Sequence, residues 1–440
     1  MGMEGEEVFT DVDYIVCDGN IDYNYHSSIS LGLNSLSYGE CSFSSGYKCK
    51  SIGDYSHAEG YLTEASGNYS HSEGYQTTAS GSYSHAEGYS TSASKTSSHA
   101  EGYDTNASGN YSHSEGSQTT ASGICSHAEG SLTIASGNYS HAEGKNTKAT
   151  AECTHVEGEN TEARVSHTHA EGYGTIASGS YSHAEGYYSW AYSPYSHAGG
   201  YYTKTDSYYM TAIGKYNKTS VDSYFSIGKG SSDSSRANAF RVSSTGAVYG
   251  TGAYNSSGAD GAEMVEWNDG NANKEDRVGL FVEWIGNKIQ IANSYSRRLA
   301  GVISSNPSFI GNSYDDQWQG MYLKDEFERI IYEEVTIPAE YHEINGETVE
   351  ILPERKEIQP KLNPEYNQDE QYIPRSERPE YGCVGMWGQI LLKSDGTCNV
   401  GDFCIPTTGG IATKSEDESK GFLVLEVREN NIIKIHLSNF

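Results

Sequence analysis

His57, His71, His85, His99, His113, His127, His141, His155, His169, His183 and His197 recur every 14 residues without a slip. Glu59, Glu73, Glu87, Glu101, Glu115, Glu129, Glu143, Glu157, Glu171 and Glu185 each follow a histidine by two residues, and Gly199 ends the series. Imidazole and carboxylate at this spacing have two chemistries open to them. Both donor types suit zinc and similar divalent ions. Alternatively, each carboxylate accepts a hydrogen bond from a nearby imidazole, because a buried charge needs a partner. The second reading is the simpler one for so regular a series, and it assigns no metal and no cofactor. It carries a pH expectation, since histidines of ordinary pKa near 6.5 change charge between about pH 5 and 8.

Some element must hold that spacing. The repeat is first complete as "YSHAEGYLTEASGN" at residues 55–68, and only seven Leu, Ile, Val or Phe occur between His57 and Gly200. Fourteen is two heptads, yet the glycines and the lack of an apolar seam exclude a coiled coil. Two short strands per unit, "SHAE" and "LTEAS", each followed by a glycine at a turn, describe a β-solenoid coil. Side chains alternate along a strand, so His57 shares a face with Glu59, and Thr63 with Ala65. The His/Glu slots hold Ile29/Leu31 and Phe43/Ser45 before the array, and Thr211/Ile213 and Phe225/Ile227 after it. Read as apolar plugs, Ile29, Leu31, Phe43, Ile213, Phe225 and Ile227 mark these slots as interior. The expectation is all-β, with fifteen coils over residues 28–228. At about 4.8 Å per coil the roll is roughly 70 Å long. Tyrosines before the Ser (Tyr55, Tyr69, Tyr83) and after the Gly (Tyr61, Tyr75, Tyr89) are expected to stack at the corners. Such ladders stiffen the roll, with glycan binding the other use.

The period and glycine placement resemble the YadA-like head repeat, a left-handed parallel β-roll of trimeric surface fibres, over nearly half the chain. The departure is His and Glu where that family usually has Val and Ile. The resemblance implies a parallel homotrimer.

The formal charge is −30, about −17 of it before residue 229 and the rest after. With no basic surface, nucleic acid and anionic membranes are poor partners. No window reaches the ~20 apolar residues of a membrane span, and the acidic start "MGMEGEEVFTDVD" does not read as a secretory signal. The eight cysteines show no CxxC pair, so thiols are expected, with Cys398 and Cys404 the one pair placed to meet across a hairpin.

After Gly228 the period stops. Runs such as "RVGLFVEWIG" and "GFLVLEV", broken by Gly, Asn and Asp, suggest a mainly β domain, and the Pro- and Glu-rich stretch 337–380 suggests long loops or an insertion. From about residue 236 these strings resemble the peptidase G2 type of intramolecular chaperone domain found in phage appendages and tail spikes. The specific element is Gly258-Ala259-Asp260-Gly261-Ala262-Glu263, with Glu266-Trp267 and Asp269–Asn271 after it. The resemblance implies trimerisation, assistance to folding, then self-cleavage at Ala259–Asp260, with Glu263 the catalytic carboxylate and Asp260 its assistant. Gly261 stands where that family usually has an aromatic residue. Paired carboxylates suit peptide hydrolysis when their environments separate their pKa values.

The domain expectation is an attachment or cap segment 1–27, a roll 28–228, a connector 229–259 and a chaperone domain 260–440. The functional expectation is a homotrimeric fibre of a phage or phage-like particle, assembled in a bacterial cytoplasm and acting outside the cell. Its partners are a particle or baseplate protein at the N-terminal end and a host cell-surface glycan. The alternative is a bacterial adhesin or spore appendage of the same build. A glycan-cleaving enzyme needs a unique acidic pair in a cleft, which the identical repeats do not supply.

Overall fold

The structure is a computed structural model that describes residues 28–219, 223–314, 318–344, 347–417 and 420–438. The segment 1–27, with Cys17 in it, lies outside the described residues. The chain forms two compact units, residues 1–253 and 254–440, and each is described by itself.

In the first unit, His57–Tyr61 pairs in parallel with His71–Tyr75, His57 opposite His71 and Glu59 opposite Glu73. This register repeats through a seventeen-stranded sheet whose last two strands, Asn238–Ser243 and Val248–Gly250, are antiparallel, leaving fifteen parallel rungs. A second sheet of thirteen two-residue strands, such as Glu64–Ala65, lines the other side of the coils. Each coil satisfies its backbone on the next: the His57 N–H donates to the Ser70 carbonyl at 2.9 Å, and the Tyr69 N–H to the Asp54 carbonyl at 2.8 Å.

The roll interior is made of small residues. Ser56, Ala58, Thr63 and Ala65 are all at most 2% exposed, and their equivalents repeat along the axis. Thr63 and Ala65 therefore face inward, as expected. The His/Glu slots do not: His57 and Glu59 lie on the outer face of the first strand with side chains 38% and 43% exposed. The six apolar plugs share that outer face, where Ile29 is exposed and Leu31, Phe43, Ile213, Phe225 and Ile227 are half-buried. The reason is steric. Two strands joined by so short a coil face each other across a gap that admits a methyl or hydroxyl but not an imidazole.

Close stacking also fixes the glycine after each Glu. Gly60 has φ +116°, and a Cβ there would lie 2.2 Å from the Gly74 carbonyl oxygen. Two further corners per coil use left-handed residues that are not glycine, Tyr55 and Leu62, both at φ +57°. Each costs about 1–2 kcal/mol, offset by bonds such as Leu62 N–H to the Tyr47 carbonyl at 2.8 Å. The tyrosine corners stack as expected, Tyr61 on Tyr75 and Tyr75 on Tyr89 at 4.8 Å between centroids.

The second unit is built on a ten-stranded sheet. Its long strand, Tyr381–Lys393, pairs with Asp260–Glu266 and Leu299–Ile303 early on, and with Ile432–Leu437 at its end. Phe281, Val302, Leu392, Ile433 and Ile435 form one core, and Trp267, Val282, Ile289 and Val384 a second. The first half of the stretch 337–380 is strand and the rest is loop, as expected, with one short 3-10 turn at Arg375–Glu377. Tyr332–Ile337 pairs with Arg355–Pro360, and Glu340–Ile344 with Glu347–Leu352, giving two antiparallel ribbons. Cys398 and Cys404 are both buried free thiols, so the hairpin disulfide is not formed.

Candidate functional site

The junction singled out in the sequence opens the Asp260–Glu266 strand, which runs antiparallel to Tyr381–Lys393 with a bulge between Gly261 and Ala262. Backbone N–H groups hold the carbonyls of the Ala259–Asp260 peptide and of the peptide that follows it. The Gln389 N–H donates to the Ala259 carbonyl at 3.0 Å, and the Ser308 N–H donates to the Asp260 carbonyl at 2.7 Å. Gly388 makes the first contact possible: its φ is +102°, and a Cβ there would lie 2.3 Å from the Ala259 oxygen. A cavity of about 150 Å³ opens beside the bond, lined among others by Ala259, Asp260, Ser304, Asn306, Ile390 and Lys434.

Asp260 is 3% exposed, and its Oδ2 has no hydrogen-bond partner. That oxygen sits over Gly385, where a Cβ would come within 2.7 Å of it. Burial pushes the carboxyl above its ordinary range, and a hydrogen bond from Ser304 offsets part of the shift. Burial thus favours the protonated form of Asp260 more than in an exposed aspartate. Nearby Cys383 is no nucleophile, its thiol pushed up to about 11 by burial and by the Asp260 charge.

Glu263 is placed differently. It is exposed, beside Gly311, and is not among the residues that line the cavity. The two carboxylates that the sequence sets three residues apart are therefore not brought together within one chain. Gly261 also finds its explanation. A Cβ there would lie 2.2 Å from the Trp387 indole, so that ring fills the space an aromatic at 261 would take. The sequence reading missed Trp387, Gly388, Gln389 and Ser304. The available signal was "WGQ" within an apolar run, because a glycine inside a strand marks close backbone approach.

The His/Glu ladder forms the other cluster of titratable groups. Imidazoles stack at 4.6–5.0 Å. Nε2 lies 3.6 Å from a carboxylate oxygen for His57–Glu59 and 3.3 Å for His197–Glu185, while His113 has Glu101 at 3.6 Å and Glu115 at 3.9 Å. These are ion-pair separations, not hydrogen bonds, and the Nε2 atoms are buried without a hydrogen-bond partner. The carboxylates crowd one another. Sharing a proton with neighbouring glutamates pushes Glu73, Glu101, Glu143 and Glu171 up to about 7 and lowers Glu87, Glu115 and Glu157. Burial, then the adjacent imidazoles, lowers His71, His99, His141 and His169.

Fold and junction together define a class: a β-solenoid chain followed by a compact β domain with a buried aspartate at its entrance. Residues 213–431 match the family model described as Peptidase_G2, IMC autoproteolytic cleavage domain, and the chain carries a domain of this family. The pre-neck appendage protein of Bacillus phage B103 is 34% identical over 180 residues, 38% of this chain and 19% of that protein. The phage-related protein YobO of Bacillus subtilis (strain 168) is 36% identical over 144 residues, 32% of this chain and 16% of that protein. The matches thus span about a fifth of these relatives' length. Among solved structures, pre-mature bacteriophage phi29 gene product 12 aligns with 97% of this chain and 51% of its own, at 20% identity and a TM-score of 0.46. Part of the chain is thus similar to part of phage appendage proteins.

Proposed function

We propose that the chain is a homotrimeric fibre component of a phage or phage-like particle, whose C-terminal unit sets three chains in register, assists folding of the roll and then hydrolyses the Ala259–Asp260 bond. The observation that carries this reading is the gripped junction: a carbonyl held by a backbone N–H beside a buried carboxyl whose Oδ2 has no hydrogen-bond partner. The family match and the phage appendage relatives support it.

The chemistry follows from the placements. Water adds to the Ala259 carbonyl carbon, and the Gln389 N–H steadies the charge that develops on its oxygen. A carboxylate, assigned to Glu263, takes the water's proton. Asp260 gives its proton to its own departing nitrogen, so a carboxylate forms at Ala259 and a free amine at Asp260. Because Glu263 lies outside the cavity of its own chain, it serves the junction of a neighbouring chain. Cleavage then waits for assembly, and each chain is cut once.

Trimerisation has support in the roll. The face carrying Phe43, Ile213 and Phe225 is half-buried in one chain, and covering it removes apolar surface from water at about 25 cal/mol per Å². A repeat slips by one coil at little local cost, so a terminal unit that aligns the chains removes a slow, error-prone step. Loss of that unit afterwards leaves the fibre kinetically trapped. In this reading residues 229–259 stay with the fibre, and the 1–27 end meets the particle.

The test is co-expression of a tagged Glu263→Gln chain with untagged wild type, followed by native mass spectrometry. Three-chain assemblies in which the tagged chain is cut are expected, with the tagged chain whole when expressed alone. Monomers, or tagged chains left whole beside cut wild-type neighbours, would overturn the trimer or the neighbour's role respectively.

A further inference from the structure

We propose that the His/Glu face of the roll is a row of divalent transition-metal sites, each built from one histidine Nε2, a carboxylate oxygen of its own coil and a carboxylate oxygen of the preceding coil. His113, with Glu101 at 3.6 Å and Glu115 at 3.9 Å, shows the full set, and His127, with Glu115 at 3.6 Å and Glu129 at 3.9 Å, repeats it. Groups such as His127, Glu129 and His141 also place their donor atoms within 4.8 Å of one another.

Three features separate this arrangement from ordinary surface charge. First, the Nε2 atoms are buried and have no hydrogen-bond partner although carboxylates flank them, so the direct His–Glu bond is not made. Two ligands about 2.0–2.1 Å from a tetrahedral ion sit ~3.3 Å apart. The complete sets at His113 and His127, with separations of 3.6 and 3.9 Å, need to close by about 0.3–0.6 Å to reach that. Second, the carboxylates of successive coils lie in register, Glu101 opposite Glu115 and Glu115 opposite Glu129, so one cation meets two of them. Third, a groove of about 720 Å³, lined by Glu73, Glu87, Glu101, Glu115 and Glu129 with their glycines, runs beside the row and gives ions and water access.

Imidazole with carboxylate selects zinc, cobalt, nickel or manganese over calcium or magnesium. Dications on adjacent coils, ~5 Å apart, repel strongly, so alternate coils fill and the chain holds about five ions. The ligands of each site come from one chain, and the sites do not depend on cleavage.

The apolar ends of the array supply a fold-preserving control, because Phe43 and Phe225 already occupy the histidine slot. Full-length protein freed of metal by chelator is titrated with Co²⁺, followed by its absorption bands, and metal content is measured after gel filtration from Zn²⁺. The wild type is expected to bind about five ions per chain saturably and to melt higher with them. Replacing His85, His99, His113, His127 and His141 by Phe is expected to halve the bound metal while the roll still melts cooperatively. A Glu87→Gln, Glu101→Gln, Glu115→Gln, Glu129→Gln variant gives the same reading if the Phe variant does not fold. No saturable binding to the wild type by 1 mM Co²⁺, or equal metal in wild type and a folded variant, overturns the proposal.

Discussion

Nothing in the type of Asp260 sets it apart in the sequence, and it is burial in the fold that raises its pKa. Its folded pKa lies above the unfolded value of 3.8, with burial the main cause. The stability linked to it is therefore full below 3.8 and is lost as pH rises through the folded value. In an uncut Glu263→Gln background, Asp260→Asn should raise the melting temperature of the C-terminal unit at pH 7 and leave it unchanged at pH 3. Calorimetry at the two values checks this, and equal melting at both would remove the buried-acid role. Gly388→Ala is expected to cost about 1–3 kcal/mol in that unit and to slow cleavage at least tenfold, because the new methyl displaces the Ala259 carbonyl. A time course on denaturing gels measures it. The resemblance at "GADGAE" placed Asp260 and Glu263, but not Gln389, Ser304 or Trp387. Trp387 and Gln389 act from a strand more than a hundred residues away, Gln389 through a backbone group that carries no sequence identity, and Ser304 is one serine among many in the chain.

Each coil is two strands and two turns, and its period and parallel register were legible from the 14-residue spacing. The inward face of the second strand was also legible from Thr63 and Ala65. The inward face of the first strand was misread, because apolar residues at Ile29, Phe43 and Phe225 argue for burial without saying whether the chain itself supplies the cover. The ribbons of 332–360 were missed because neither face of them is apolar enough to show a period of two. Glycine placement gives a sharp check on the coil geometry. Gly116→Ala puts a Cβ 2.2 Å from the Gly130 oxygen at φ +101°, and should cost about 3 kcal/mol or more. Ser117→Tyr one residue on should be within about 0.5 kcal/mol of wild type, since Tyr61 and Tyr103 occupy that slot. Denaturant melts of the two variants separate the outcomes.

For the whole molecule, the proposed function gives the period of the roll and the chemistry of the junction one common explanation, a fibre that needs alignment once and is then released from its aligner. If cleavage waits for neighbours, its rate in freshly refolded protein should rise steeply with chain concentration and level off once assemblies form. A rate independent of concentration would place Glu263 in its own chain's site. The most direct measurement is the intact mass of purified wild type beside Glu263→Gln. Two fragments, residues 1–259 and 260–440, from the wild type alone are expected. A wild type that stays at the mass of 440 residues under conditions where it is assembled would contradict self-cleavage at Ala259–Asp260.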